Sequence, residues 1–123
     1  MNAEQRALGE IVLDHLIHHP EQHDQDIFGY RDECGTRGCV AGWTILFAQL
    51  SEGLEIQWGS GGMGVLSTVR MPGVGEWLDP FEAAQKLLGL DDADAAALFY
   101  YRQDEPDARA YLRRLLDAAP VPS

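Results

Sequence analysis

The sequence predicts a single compact domain, mainly α-helical, with about five helices and one small β-hairpin. Three observations predict it. Apolar residues recur at helical spacing near the N-terminus and run almost unbroken from Cys39 to Leu50. Acid-led helix starts recur at Asp79, Asp91 and Asp104. The period shortens to two only around residues 54–71. At 123 residues the chain can bury its own core, so one domain over 1–119 is expected, with a frayed tail at 120–123.

The first helix is expected from about Ala3 to His19. Leu8, Ile11, Val12, His15, Leu16 and His19 fall on one helical face, and Pro20 disfavours helical geometry at the residue before it. His15, His18 and His19 then crowd the helix C-terminus, where positive charge is favoured. Residues 21–35 are polar and broken by Gly29 and Gly35, so they read as a long ordered loop anchored by Ile27, Phe28 and Tyr30. Thr36 can cap a second helix that is apolar on almost every side, which predicts burial, and Gly53 supplies its stop. Gly42 inside it costs about 1 kcal/mol relative to Ala, so another backbone is expected to approach there.

Leu54, Ile56 and Trp58 alternate with polar residues, Gly59 to Gly64 is glycine-rich, and Val65 to Met71 again reads as a strand, giving a hairpin. Pro72 ends it. Asp79-Pro80-Phe81-Glu82 combines a capping Asp, a Pro at the first helical position and a Glu three residues after the cap. Gly89 closes that helix. Asp91-Asp92-Ala93-Asp94 opens the next, which carries Leu98 and Phe99. Asp104 to Asp107 opens the last, with Ala108, Tyr111, Leu112, Leu115 and Ala119 on one face.

Twenty acids against nine basic residues give a formal charge of −11. Nucleic-acid affinity rests on Lys and Arg neutralising phosphates, so this charge argues against nucleic acid and, by the same electrostatics, against anionic membrane. No apolar run approaches the roughly 20 residues that span a bilayer. Met1 to Glu10 lacks a secretory pattern, and two cysteines make no disulfide scaffold, so a cytoplasmic chain with reduced thiols is expected. The acids concentrate in residues 1–33, with eight against Arg6 and Arg31, and in 76–107, with nine against Lys86 and Arg102. Asp79, Asp91, Asp92, Asp94, Asp104 and Asp107 fall at helix starts, where acids are stabilising whatever the protein binds. The functional reading of the same charge is a surface for a basic protein partner, or a DNA-mimicking inhibitor.

Three motifs bear on chemistry. Gly59-Ser60-Gly61-Gly62-Met63-Gly64 matches G-x-G-x-x-G, but the residues after it are strand-like, and without a helix N-terminus to hold a pyrophosphate it reads as a hairpin tip. Cys39, as third residue of a helix capped by Thr36, would have a lowered thiol pKa and could serve a cysteine hydrolase; the alternative is a small buried core residue. Cys34, Cys39, His19 and His23 have the ligand types of a structural zinc site, but the C-x₄-C spacing departs from the usual knuckle.

The segments His19-Pro20-Glu21-Gln22-His23-Asp24-Gln25 and Cys34-Gly35-Thr36-Arg37-Gly38-Cys39-Val40-Ala41-Gly42-Trp43 resemble the small uncharacterised proteins of actinobacteria and their phages that carry an H-P-x-x-H-D-Q…C-G-T-x-x-C-x-A-G-W pattern. Lys86-Leu87-Leu88-Gly89-Leu90 and Ala97-Leu98-Phe99-Tyr100 are similar to the C-terminal half of that family. The likeness covers roughly residues 8 to 118, and Phe28 stands where the pattern expects Trp. It implies an actinobacterial or phage setting, in keeping with eight Arg to one Lys, and brings no activity.

The functional expectation is therefore a non-enzymatic accessory or regulatory protein acting by protein–protein contact, with no catalytic residues and no cofactor. A zinc-stabilised helical module and a hydrolase built on Cys39 are the alternatives.

Overall fold

The computed structural model describes residues 1–32, 35–59, 64–100 and 104–118. Helix α1 (Ala3–His18) starts at a reciprocal cap. Asn2 Oδ1 accepts the Gln5 N–H at 2.8 Å, and Gln5 Oε1 accepts the Asn2 N–H at 2.7 Å. It ends ahead of Pro20, which begins a 3₁₀ turn (Pro20–Gln22).

The expected loop over 21–35 and the expected cap at Thr36 are both corrected. Tyr30–Asp32 forms strand β1, and Gly35–Arg37 forms strand β2, paired antiparallel with Arg31 opposite Thr36. Thr36 is thus held in a ladder, and helix α2 (Val40–Glu52) starts later, with Cys39 as its cap residue. The Cys39 side chain makes no capping hydrogen bond; its backbone N–H donates to the Ile27 carbonyl at 2.8 Å.

Strands β3 (Glu55–Trp58) and β4 (Gly64–Arg70) form the expected hairpin, with a register shift at Gln57/Trp58. Because a strand rather than a helix starts at Gly64, the phosphate-binding geometry of G-x-G-x-x-G is not met. The four strands make one antiparallel sheet in the order β2-β1-β4-β3, with Tyr30 opposite Val65.

The three acid-led helix starts recur in the structure. Asp79 Oδ1 accepts the Glu82 N–H at 2.8 Å at the head of α3 (Pro80–Leu88). Asp91 Oδ1 accepts the Asp94 N–H at 2.7 Å at the head of α4 (Asp92–Ala95). A five-residue π turn (Ala96–Tyr100) continues α4, and α5 (Glu105–Ala118) follows with Glu105 and Asp107 in its first turn. Ala119 and the tail 120–123 lie outside the described residues.

The core sits around the first three turns of α2, where Val40, Ala41, Trp43, Thr44, Ile45 and Ala48 are buried. The Thr44 hydroxyl donates to the Val40 carbonyl at 2.8 Å, so its burial leaves no orphaned polar atom. Val12, Leu13 and Leu16 of α1, Ala83, Ala84, Leu87 and Leu88 of α3, and Leu112 and Leu116 of α5 join the same cluster, and the sheet adds Leu66 and Val69. The ion pair Arg113–Glu10, at 3.3 Å, ties α5 to α1. Among the described residues no helix is long and apolar enough to cross a membrane.

Candidate functional site

The segment 19–29 is stitched to the approach to α2 by backbone hydrogen bonds. Asp24 N–H donates to the Gly38 carbonyl at 2.9 Å, and Gly38 N–H donates to the Gln22 carbonyl at 3.0 Å. The indole of Trp43 donates to that same Gln22 carbonyl at 2.9 Å. The expected backbone approach at Gly42 is present, and it is close. A Cβ there would stand 1.3 Å from the Phe28 carbonyl oxygen, and one at Gly38 would stand 2.7 Å from the same atom.

His23 is buried between two side chains. Arg109 Nη1 lies 2.9 Å from His23 Nδ1, and His23 Nε2 lies 2.8 Å from Gln25 Oε1. A guanidinium has no acceptor, so Nδ1 must accept and the ring proton sits on Nε2, donated to Gln25. The Gln25 amide then donates to the Leu98 carbonyl in the π turn at 2.6 Å. The donors run in one direction: Arg109, His23, Gln25, Leu98. Burial holds the His23 pKa below its ordinary value, and the neighbouring Arg109 charge acts in the same sense. Both ring nitrogens are engaged, which leaves no lone pair for a metal.

The Cys39 thiol is buried and faces the Phe28 carbonyl, with Sγ 3.9 Å from the oxygen. Burial pushes its pKa up to about 11, outweighing the backbone N–H groups at the head of α2. His19, by contrast, is exposed beside Glu21. Among the described residues no three His, Cys, Asp or Glu side chains are gathered as a metal ion requires, so His19, His23 and Cys39 do not form a preassembled site. Cys34, the fourth residue of that set, lies outside the described residues.

The concave surface lies elsewhere. A cavity of about 650 Å³ opens between the N-terminal half of α1, the last turns of α2 and the end of α3. Leu8, Ile11, Phe47, Leu50, Met71 and Leu87 are its large apolar lining residues, and Glu4, Glu52 and Lys86 are the charged ones. Ile11 is 51% exposed and Leu50 is 85% exposed. The expectation that α2 is buried on all sides is thereby corrected for its last turn. A second depression, of about 460 Å³, adjoins the first through Ile11 and Phe47 and is lined by Asp14, His15, His18 and His19.

Sequence reasoning missed Arg109, which lies 86 residues from His23, and it missed the groove. The one signal that pointed to the groove was an excess of apolar residues: α2 carries more than its packed face can cover.

No protein-family model, curated protein or solved structure proves significantly similar to this chain.

Proposed function

We propose that this chain is a small accessory or regulatory protein that works by contact with a protein partner, receiving an apolar, basic-flanked segment of that partner in the groove between α1, α2 and α3. The observation that carries the reading is the groove itself, in which Ile11 and Leu50 stand exposed among the lining residues Leu8, Phe47, Met71 and Leu87. Contiguous exposed apolar surface marks interaction sites, whereas apolar residues scattered singly do not. Charge selects the class of occupant. Glu4 and Glu52 outnumber Lys86 among its lining residues, and the whole chain carries −11, a field that favours a basic partner and speeds its encounter.

The same reading takes the protein as cytoplasmic and belonging to an actinobacterial or phage setting. Support for contact rather than hydrolysis comes from Cys39, whose buried thiol with a raised pKa is a poor nucleophile.

Peptide display on the immobilised chain, with a Leu50→Glu variant as counter-selection, tests the proposal. The expected result is enrichment of peptides that combine spaced apolar residues with flanking Lys or Arg and that lose binding to the variant. Enrichment insensitive to Leu50→Glu overturns it, as does a concentration-dependent homodimer that buries the groove.

A further inference from the structure

The groove of the proposed function is lined almost wholly from helices. On α1, Glu4, Ala7, Leu8 and Ile11 line it at the i, i+3, i+4, i+7 spacing of one helical face. On α2, Phe47, Leu50 and Ser51 follow the same rule. The α1 stripe is about 10 Å long, two helical turns, at about 1.5 Å per residue. Side-chain ridges of this kind leave a channel between them that matches the ridges of another helix.

What the lining withholds is as informative as its shape. A helix uses its backbone N–H and C=O groups internally, so α1, α2 and α3 offer almost none to a guest. Polar side chains in the lining are engaged as well. Asn2 Oδ1 accepts the Gln5 N–H, Gln5 Oε1 accepts the Asn2 N–H, and the Gln5 amide donates to the Lys86 carbonyl at 3.4 Å. The Ser51 hydroxyl donates to the Ala48 carbonyl at 3.5 Å, and the Met71 carbonyl accepts the Val74 N–H at 3.1 Å. An extended segment laid here would turn its own backbone polar groups toward a surface with no partners for them, which disfavours it. A helix arrives with those groups satisfied and presents side chains alone.

Electrostatics sets the character of the guest. The C-terminal ends of α2 and α3 meet the N-terminal half of α1 in the groove, so two negative dipole ends face one positive end. Glu4 stands in the first turn of α1 and offsets that positive end, and Glu52 adds a second carboxylate. We infer that the guest is an amphipathic helix of at least two turns, its apolar residues at i, i+3, i+4 and i+7 set against Leu8, Ile11, Phe47 and Leu50, with Lys or Arg beside them. This rests on the groove reading and adds to it the conformation of the partner segment.

Two displayed peptide libraries of equal apolar and basic content, selected on the full chain, test it. One fixes apolar residues at i, i+3, i+4 and i+7; the other alternates apolar and polar residues strictly. Leu50→Glu, at an 85% exposed position, serves as counter-selection. Binders lost on Leu50→Glu should come from the helical library and gain helical circular dichroism when mixed with the chain. A central proline, which breaks a helix, should weaken them by about tenfold or more, and exchanging their Lys and Arg for Glu should weaken them similarly. Leu50-dependent binders of equal affinity from the alternating library overturn the inference and leave the groove reading standing, as does a central proline without effect. Absence of Leu50-dependent binders from both libraries removes the two together, as does a dimer of the chain that buries Leu50.

Discussion

The guanidinium of Arg109 on α5 donates to Nδ1 of His23, 2.9 Å away and 86 residues earlier in the chain. This contact decides where the imidazole proton sits, and through it which way the Gln25 amide points. The segment that most invites a catalytic or metal reading is thus a buried polar clasp. It joins the stretch after α1 to the π turn and to α5.

Acidification should open that clasp. The folded-state pKa of His23 lies below the ordinary value of 6.5, so the unfolded chain takes up the proton first. The stabilisation is full above about 6.5 and is lost as pH falls through the lower folded value. Urea midpoints measured from pH 7.5 down to 5 should fall, and His23→Gln should flatten that part of the slope. Equal slopes in the two proteins would contradict the assignment.

Gly42→Ala should be severely destabilising, although Ala is the better helix former by about 1 kcal/mol. The added carbon would meet the Phe28 carbonyl, which is backbone and is held on both sides by the ladder and cap hydrogen bonds. A loss of about 3 kcal/mol or more is expected, at the upper end of overpacking costs. Gly75→Ala, where a Cβ meets nothing within 4 Å, is the control and should be near neutral in the same denaturation experiment.

Cys39 should resist alkylation. In a Cys34→Ser background, iodoacetamide near neutral pH should leave the folded chain unmodified, and labelling should appear only when urea exposes the thiol. Prompt labelling of the native protein would revive the hydrolase reading, because a thiol with a pKa of about 11 is almost wholly protonated under those conditions.

Asp79→Ala and Asp91→Ala should each cost about 1 kcal/mol, the typical value for a lost helix cap. Each carboxylate accepts a backbone N–H at its helix start, so the loss should outweigh any relief of net negative charge. Thermal melts at low and high salt separate the two effects. A stabilised variant at either position would show that charge repulsion dominates.

Where the sequence was informative, the cause was local. The start of α3 is legible because Asp79, Pro80 and Glu82 act within one turn of one another. The start of α2 was misplaced because Thr36, a competent cap in isolation, is claimed by Arg31 in the β1–β2 ladder. Those strands are three residues long and show no useful alternation; they exist because β1 also pairs with β4, whose Val65 lies 35 residues beyond Tyr30. The candidate site divides in the same way. The contact of His15 with His19 joins residues only four apart at the end of α1. Arg109 is placed against His23 only by the packing of α5, and the exposure of Leu50 depends on which neighbours fail to cover it.

The π turn at 96–100 holds one residue more than an α-helical turn would need. That surplus makes the chain's length there an address. Deleting a single residue there would let an ordinary α-helical turn form, in which each carbonyl is drawn onto the N–H four residues on. Leu98 would then turn its carbonyl away from Gln25, and the proton order running back to Arg109 would lose its terminus. A shortened chain of nearly unchanged composition would keep its helices and lose the link between them.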